Sequence, residues 1–89
     1  MTTEDRDIRL KRLRIRSWRR GTKEMDLILG PFSDAADGLA LLDDRALDAY
    51  EALLEEGDND LYLWASGTQA APPEHQTVLR IIQDFHKIA

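Results

Sequence analysis

The chain has no cysteine, so neither a disulfide framework nor a thiolate metal site is open to it. That absence fits a reducing compartment. Long apolar runs are missing too: no stretch approaches the roughly 20 residues a membrane-spanning helix needs. The basic N-terminal stretch is not followed by an apolar segment, so no secretory signal is read. Glu4, Asp5 and Asp7 lie within that Arg-rich start, whereas mitochondrial presequences are poor in acids. The expectation is a soluble, cytoplasmic protein. Glycine is scarce, and its five residues stand apart from one another, which leaves no Gly-rich phosphate loop. The two histidines, His75 and His86, are eleven residues apart, about 16 Å along one helix axis. They cannot share an ion, and both are read as solvated surface residues. Ser17, Ser33 and Ser66 lie in no nucleophile-elbow motif. No catalytic residue, metal ligand or cofactor pocket is assigned.

What is present fits one small domain spanning residues 1–89. At that length a single thin core forms, and a cavity of several hundred Å³ for a dinucleotide would consume most of it. Function is therefore expected on a surface. The net charge of −5 conceals an asymmetry: residues 1–23 hold nine Lys/Arg against three Asp/Glu, and residues 24–89 hold three against fourteen. A basic arm on an acidic body has three outlets: nucleic acid, an acidic partner, or the protein's own acidic face.

Five helices are read. The first runs from about Asp5 to Trp18 on helix-forming Arg, Lys and Leu, with Ile8, Ile15 and Trp18 on one side and Leu10 and Leu13 on another. The second carries Met25, Ile28, Leu29 and Phe32 at one-face spacing, and Gly30-Pro31 predicts a kink or an end. Residues 33–42 read as a connection, loosest at Gly38. Asp43 caps the third helix, whose apolar face is Ala46, Leu47, Ala49, Tyr50, Leu53 and Leu54. Its acids Asp44, Asp48, Glu51 and Glu55 share one face, read as solvated. Gly57 is placed as a left-handed terminator, and Asp58 as the cap of a short fourth helix that ends at Gly67. Pro73 opens the last helix, which bears Val78, Ile81, Ile82, Phe85 and Ile88. The fold class is all-α, a compact five-helix bundle, with a core of Ile28, Leu29, Phe32, Leu47, Tyr50, Leu54, Leu61, Trp64, Val78, Ile82 and Phe85.

Arg19-Arg20-Gly21-Thr22-Lys23-Glu24 is the informative stretch. Gly21 reads as an N-cap and Glu24, three residues on, as its reciprocal capping partner. That leaves the crowding of Arg19 and Arg20 unexplained, since neither has an intrahelical partner. A glycine beside an Arg fork also admits close approach of another backbone, with bidentate contacts to carboxylates.

These residues carry a resemblance. Arg20-Gly21-Thr22-Lys23-Glu24 matches the RGxxE motif of the succinate dehydrogenase assembly factor 2 family, which includes the bacterial flavinylation factors. Arg20 to Phe32 resembles that family's R-G-x-x-E-x-D-x-x-x-x-P-F stretch, and Tyr50 to Glu55 its third-helix core. Asp58 to Trp64 resembles its D-x-D-L/I-Y/F-x-W segment, and Pro73 with Ile81-Ile82 its last helix. The resemblance implies a non-enzymatic assembly factor that binds the flavoprotein subunit of succinate dehydrogenase, and in bacteria often that of fumarate reductase. There it promotes covalent attachment of FAD to a histidine of that subunit, and this chain holds no FAD stably itself. Arg20, Gly21 and Glu24 are then the partner-docking residues, with Arg19, Asp26 and Asp60 beside them; Trp64 reads equally as core. A monomer forming a one-to-one complex is implied, without nucleic acid or membrane. The competing reading is a small nucleic-acid-binding module that uses the basic first helix.

Overall fold

The computed structural model describes residues 5–86. Among them lie five α-helices and no strand: α1 Arg6–Trp18, α2 Lys23–Asp34, α3 Asp44–Leu54, α4 Asp58–Ala65 and α5 Pro73–His86, with a short 3-10 turn at Leu39–Leu41. Ile88, expected on the last helix, lies outside the described residues.

Leu29, Phe32, Leu47, Tyr50, Leu54, Leu61, Val78 and Ile82 are buried, and Ile28, Trp64 and Phe85 pack against them. The Phe32 ring lies 5.7 Å from Tyr50 and 5.3 Å from Phe85, edge-on to the latter. Leu13 is fully buried while Ile8, Ile15 and Trp18 are exposed, so α1 presents its Leu10–Leu13 side to the core. The Tyr50 hydroxyl reaches a buried polar knot: it donates to Ser17 Oγ at 2.6 Å, and Ser17 donates to the Leu13 carbonyl at 2.8 Å. Burial pushes the Tyr50 phenol up to about 12, because the charged form has no water to stabilise it.

The local signals divide. Asp43 accepts from the Ala46 amide at 2.8 Å and starts α3 as expected, and Gly67, at φ +81°, ends the α4 region. Gly57 is not left-handed: its φ is −71° and it is the N-cap of α4, with Asp58 inside the helix. Helix α2 passes through Pro31 and stops at Asp34. The carbonyl that Pro31 leaves without a donor belongs to Leu27, four residues earlier, a residue on the exposed side of the helix. Gly38 is a close contact: a Cβ there would stand 2.1 Å from the Phe32 carbonyl oxygen. Neither histidine is a solvated surface residue. His75 is buried and donates from Nε2 to Glu56 Oε2 at 3.0 Å, because the first turn of α5 lies against the stretch after α3. His86 is part-buried and donates to the Ile28 carbonyl at 2.6 Å.

The charge asymmetry resolves inside the molecule. Arg6 meets Asp44 at 3.4 Å, Arg9 meets Asp48 at 2.6 Å and Glu51 at 3.2 Å, Arg12 meets Glu51 at 2.9 Å, and Arg16 pairs with Glu55. The partners rise in number together, so α1 runs parallel to α3. The acidic face of α3 stays largely exposed at Asp44, Asp48 and Glu55, as expected, and its carboxylates also pair with the arginines of α1. The Arg12 guanidinium, chiefly through its hydrogen bond, holds the Glu51 carboxyl below its usual value, with Arg9 assisting.

A group whose carboxyl is lowered in the folded state stabilises above the unfolded-state value and loses that contribution as pH falls through the folded one. Glu51→Gln should therefore lower stability by about 1 kcal/mol at neutral pH, the size of a solvent-screened network member. The deficit should vanish on acidification below the ordinary carboxylate range and shrink in high salt. Urea unfolding across pH, parent against variant, reads this directly.

Candidate docking site

Helix α1 stops at Trp18 and α2 starts at Lys23, leaving a four-residue link that carries the Arg-Gly pair. The cap of α2 is Thr22, whose hydroxyl accepts from the Met25 amide at 3.3 Å; Gly21 lies outside the helix, and the capping pair read for Gly21 and Glu24 does not form. Threonine prevails because its side chain carries the acceptor oxygen that glycine lacks.

Arg20 is turned inward. Its Nε donates to Asp58 Oδ1 at 2.8 Å, Nη1 to the Leu54 carbonyl at 2.7 Å and Nη2 to the Glu56 carbonyl at 2.7 Å. Leu54 is the last residue of α3, so the cation sits on the negative end of that helix dipole and satisfies a carbonyl without an intrahelical donor. The other Asp58 oxygen accepts from the Gly21 amide at 2.5 Å, and Asp26 Oδ1 accepts from the Arg20 amide at 3.0 Å. The Arg20 and Asp58 side chains are only 12% and 16% exposed, so this pair is largely shielded from water. Glu56 extends the network, since its carboxylate takes the His75 bond while its carbonyl takes Arg20.

Around this clamp the remaining predicted residues reach solvent. Gly21 and Glu24 are exposed, as are Arg19 and Asp60. Among the described residues, Glu24, Arg19 and Asp60 form no ion pair. Glu24 stands in the first turn of α2, where the helix's positive end favours its charge. A Cβ on Gly21 would stand 3.0 Å from Asp58 Oδ2, so glycine lets the Asp58 carboxylate close on the backbone. Thr22, Glu24, Asp58, Asn59 and Tyr62 line a shallow cleft of about 310 Å³. The structure thus brings Arg20, Gly21 and Asp26 into one network, with Glu24, Arg19 and Asp60 about it on the surface. Sequence reasoning missed Asp58, which it treated as a cap, and Tyr62 beside the cleft. Asp58 was visible only as part of the Asp58–Trp64 segment, because its pairing with Arg20 bridges 38 residues.

A family described as flavinator of succinate dehydrogenase matches residues 11–86. The chain belongs to that family. Curated relatives agree. The mitochondrial succinate dehydrogenase assembly factor 2 of Meyerozyma guilliermondii is 40% identical over 72 residues, 81% of this chain and 52% of that protein. The one from Schizosaccharomyces pombe is 41% identical over 69 residues, 78% of this chain and 48% of that protein. The one from Saccharomyces cerevisiae is 34% identical over 89 residues, 94% of this chain and 54% of that protein. The chain spans about half the length of these relatives. No solved structure matches it. The family match covers the whole Arg20–Asp58 corner.

Arg20→Ala strands the Asp58 carboxylate and two carbonyls and should lower stability by about 3 kcal/mol. Arg20→Lys keeps the charge but not the planar fork, and should recover less than half of that. Chemical denaturation followed by circular dichroism decides: an Arg20→Ala midpoint equal to the parent's would show that Arg20 is not a strut.

Proposed function

We propose that this chain is an assembly factor that docks on the flavoprotein subunit of succinate dehydrogenase through the corner of α1, α2 and α4, and there promotes covalent attachment of FAD to a histidine of that subunit. The carrying observation is the pairing of a rigid clamp with an uncommitted surface. Arg20 and Asp58 fix the backbone, while Gly21 and Glu24 stand exposed on it. In this reading Glu24 and the side-chain-free Gly21 meet the partner, and Arg20 acts by holding them in place. Family membership supports the reading.

The flavin stays with the partner. The cleft at the corner is shallow and lined by the carboxylates of Glu24 and Asp58, a lining that repels a pyrophosphate. The chain then works as a chaperone, not an enzyme: it holds the partner so that histidine and flavin align, and alignment alone lowers barriers by several kcal/mol. The flavoprotein subunit of fumarate reductase is a second partner of the same kind. The compartment proposed is the cytoplasm; the word mitochondrial in the relatives' names applies to those proteins. The nucleic-acid reading loses its main support, because Arg6, Arg9, Arg12 and Arg16 face carboxylates of α3.

Glu24→Ala is the clean test, since Thr22 supplies the cap. It should weaken binding to the purified flavoprotein subunit about tenfold or more, as an interface hot spot does, with little change in melting temperature. Covalent flavin, read as in-gel fluorescence of the denatured subunit, should fall in cells lacking this chain and return with the parent but not with Glu24→Ala. Gly21→Arg should fail likewise, although its side chain also presses on Asp58. A flavin band unchanged by removal of the chain would overturn the proposal.

A further inference from the structure

The outward side of the α1–α2 hairpin has no role in the clamp, and its composition is unusual for a solvated face. Trp18, the last residue of α1, stands so close over Gly30 of α2 that a Cβ there would be 2.5 Å from the indole. The indole Nε1 donates to Asp34 Oδ2 at 3.1 Å. Though fixed on both counts, the residue is 40% exposed. Ile15, one turn earlier on α1, and Leu27, one turn before Gly30 on α2, are 51% and 56% exposed, and Ile8 further along α1 is 58% exposed. Residues three or four apart are neighbours on a helix surface, so the apolar atoms of Ile15, Trp18 and Leu27 flank the Trp18–Gly30 contact. Scattered exposed apolar residues need no explanation; a group gathered on one hairpin about an immobilised tryptophan does.

Charge sets the rim. Most of the α1 arginines are engaged by carboxylates, but among the described residues Lys11, Arg19 and Lys23 form no ion pair, and all three are exposed. The face is also continuous with the corner, since Arg19 directly follows Trp18 and Leu27 lies one turn beyond Glu24.

We propose that this hairpin face, centred on Trp18, is a second part of the docking interface, and that the surface it fits is an apolar recess rimmed by carboxylates on the partner protein. The identity of that partner rests on the function proposed above. An indole held by Gly30 and Asp34 loses little freedom on binding, which is what makes an aromatic side chain an effective anchor. Nucleic acid is the poorer occupant: phosphates would use Lys11, Arg19 and Lys23 but leave Ile8, Ile15 and Leu27 in water.

The test uses the full chain and the purified flavoprotein subunit of succinate dehydrogenase, with affinity measured by calorimetry. Ile15→Glu and Leu27→Glu place a carboxylate in the patch at exposed positions, so neither removes the packing on Gly30 as Trp18→Ala would. Each should weaken binding about tenfold or more, while Arg80→Glu on the exposed side of α5 should leave it within about twofold of the parent. Melting curves should overlay. If Glu24→Ala weakens binding but Ile15→Glu and Leu27→Glu bind as the parent does, the hairpin face is not part of the interface and the proposed function stands. If the parent itself does not bind the subunit, both fall. If sedimentation shows a parent dimer that Ile15→Glu dissociates, the face belongs to a second copy of this chain, which overturns the assignment of its occupant.

Discussion

The Arg20 guanidinium holds together parts of the chain that otherwise share little. From the link between α1 and α2 it reaches the end of α3, the stretch after α3 and the first residue of α4. A cation this shielded costs several kcal/mol if unpaired, and a planar fork with three acceptors in reach offsets that cost as an ammonium could not. Once the fork is seated, Asp58 has an oxygen left for the Gly21 amide. The backbone that presents Gly21 and Glu24 is therefore set from beneath. A motif whose arginine and glutamate would both be assigned to a partner divides into an arginine turned inward and a glutamate left exposed.

Electrostatics performs a second task at larger scale. A chain of this size buries a thin core, and α1 adds to it mainly Leu13, with the Ser17–Tyr50 bond as its polar tie. The rest of its attachment to α3 is the run of arginines against Asp44, Asp48, Glu51 and Glu55. Each exposed pair is weak and salt-sensitive, but the run sets the direction and register of α1. That placement carries Trp18 onto Gly30 and leaves Ile15 exposed, with Lys11 and Arg19, which form no ion pair among the described residues.

Much of the fold was legible because it rests on local signals. The spacing of Met25, Ile28, Leu29 and Phe32, the Asp43 cap, Gly67 and Pro73 each act within a few residues, and the structure agrees with them. Apart from Gly57 and the Gly21–Glu24 cap, which were local misreadings, the errors arose where a residue had a distant partner. Asp58 has the composition of a cap but answers Arg20 across the molecule. His75 and His86 lack any ligand spacing, yet each is bonded to a group far away in sequence, Glu56 and the Ile28 carbonyl. The acids of α3 have the periodicity of a solvated face and Asp44, Asp48 and Glu55 do stay largely exposed, but only the position of α1 shows that they pair with its arginines. Gly30 and Gly38 read as punctuation; both are close contacts, with the Trp18 indole and the Phe32 carbonyl. At the corner the residue set was legible from the motif, but which members point inward was not, because that depends on where α3 ends.

In the proposed complex the partner meets the exposed backbone and side chains from Arg19 to Leu27 while Arg20 stays internal. Amide hydrogen exchange of this chain, free and bound to the flavoprotein subunit, tests it most directly. Binding should slow exchange across the α1–α2 link, the first turns of α2 and the start of α4, and leave the outer side of α5 unchanged. Slowing confined to α3 and α5, with the link unaffected, would contradict it.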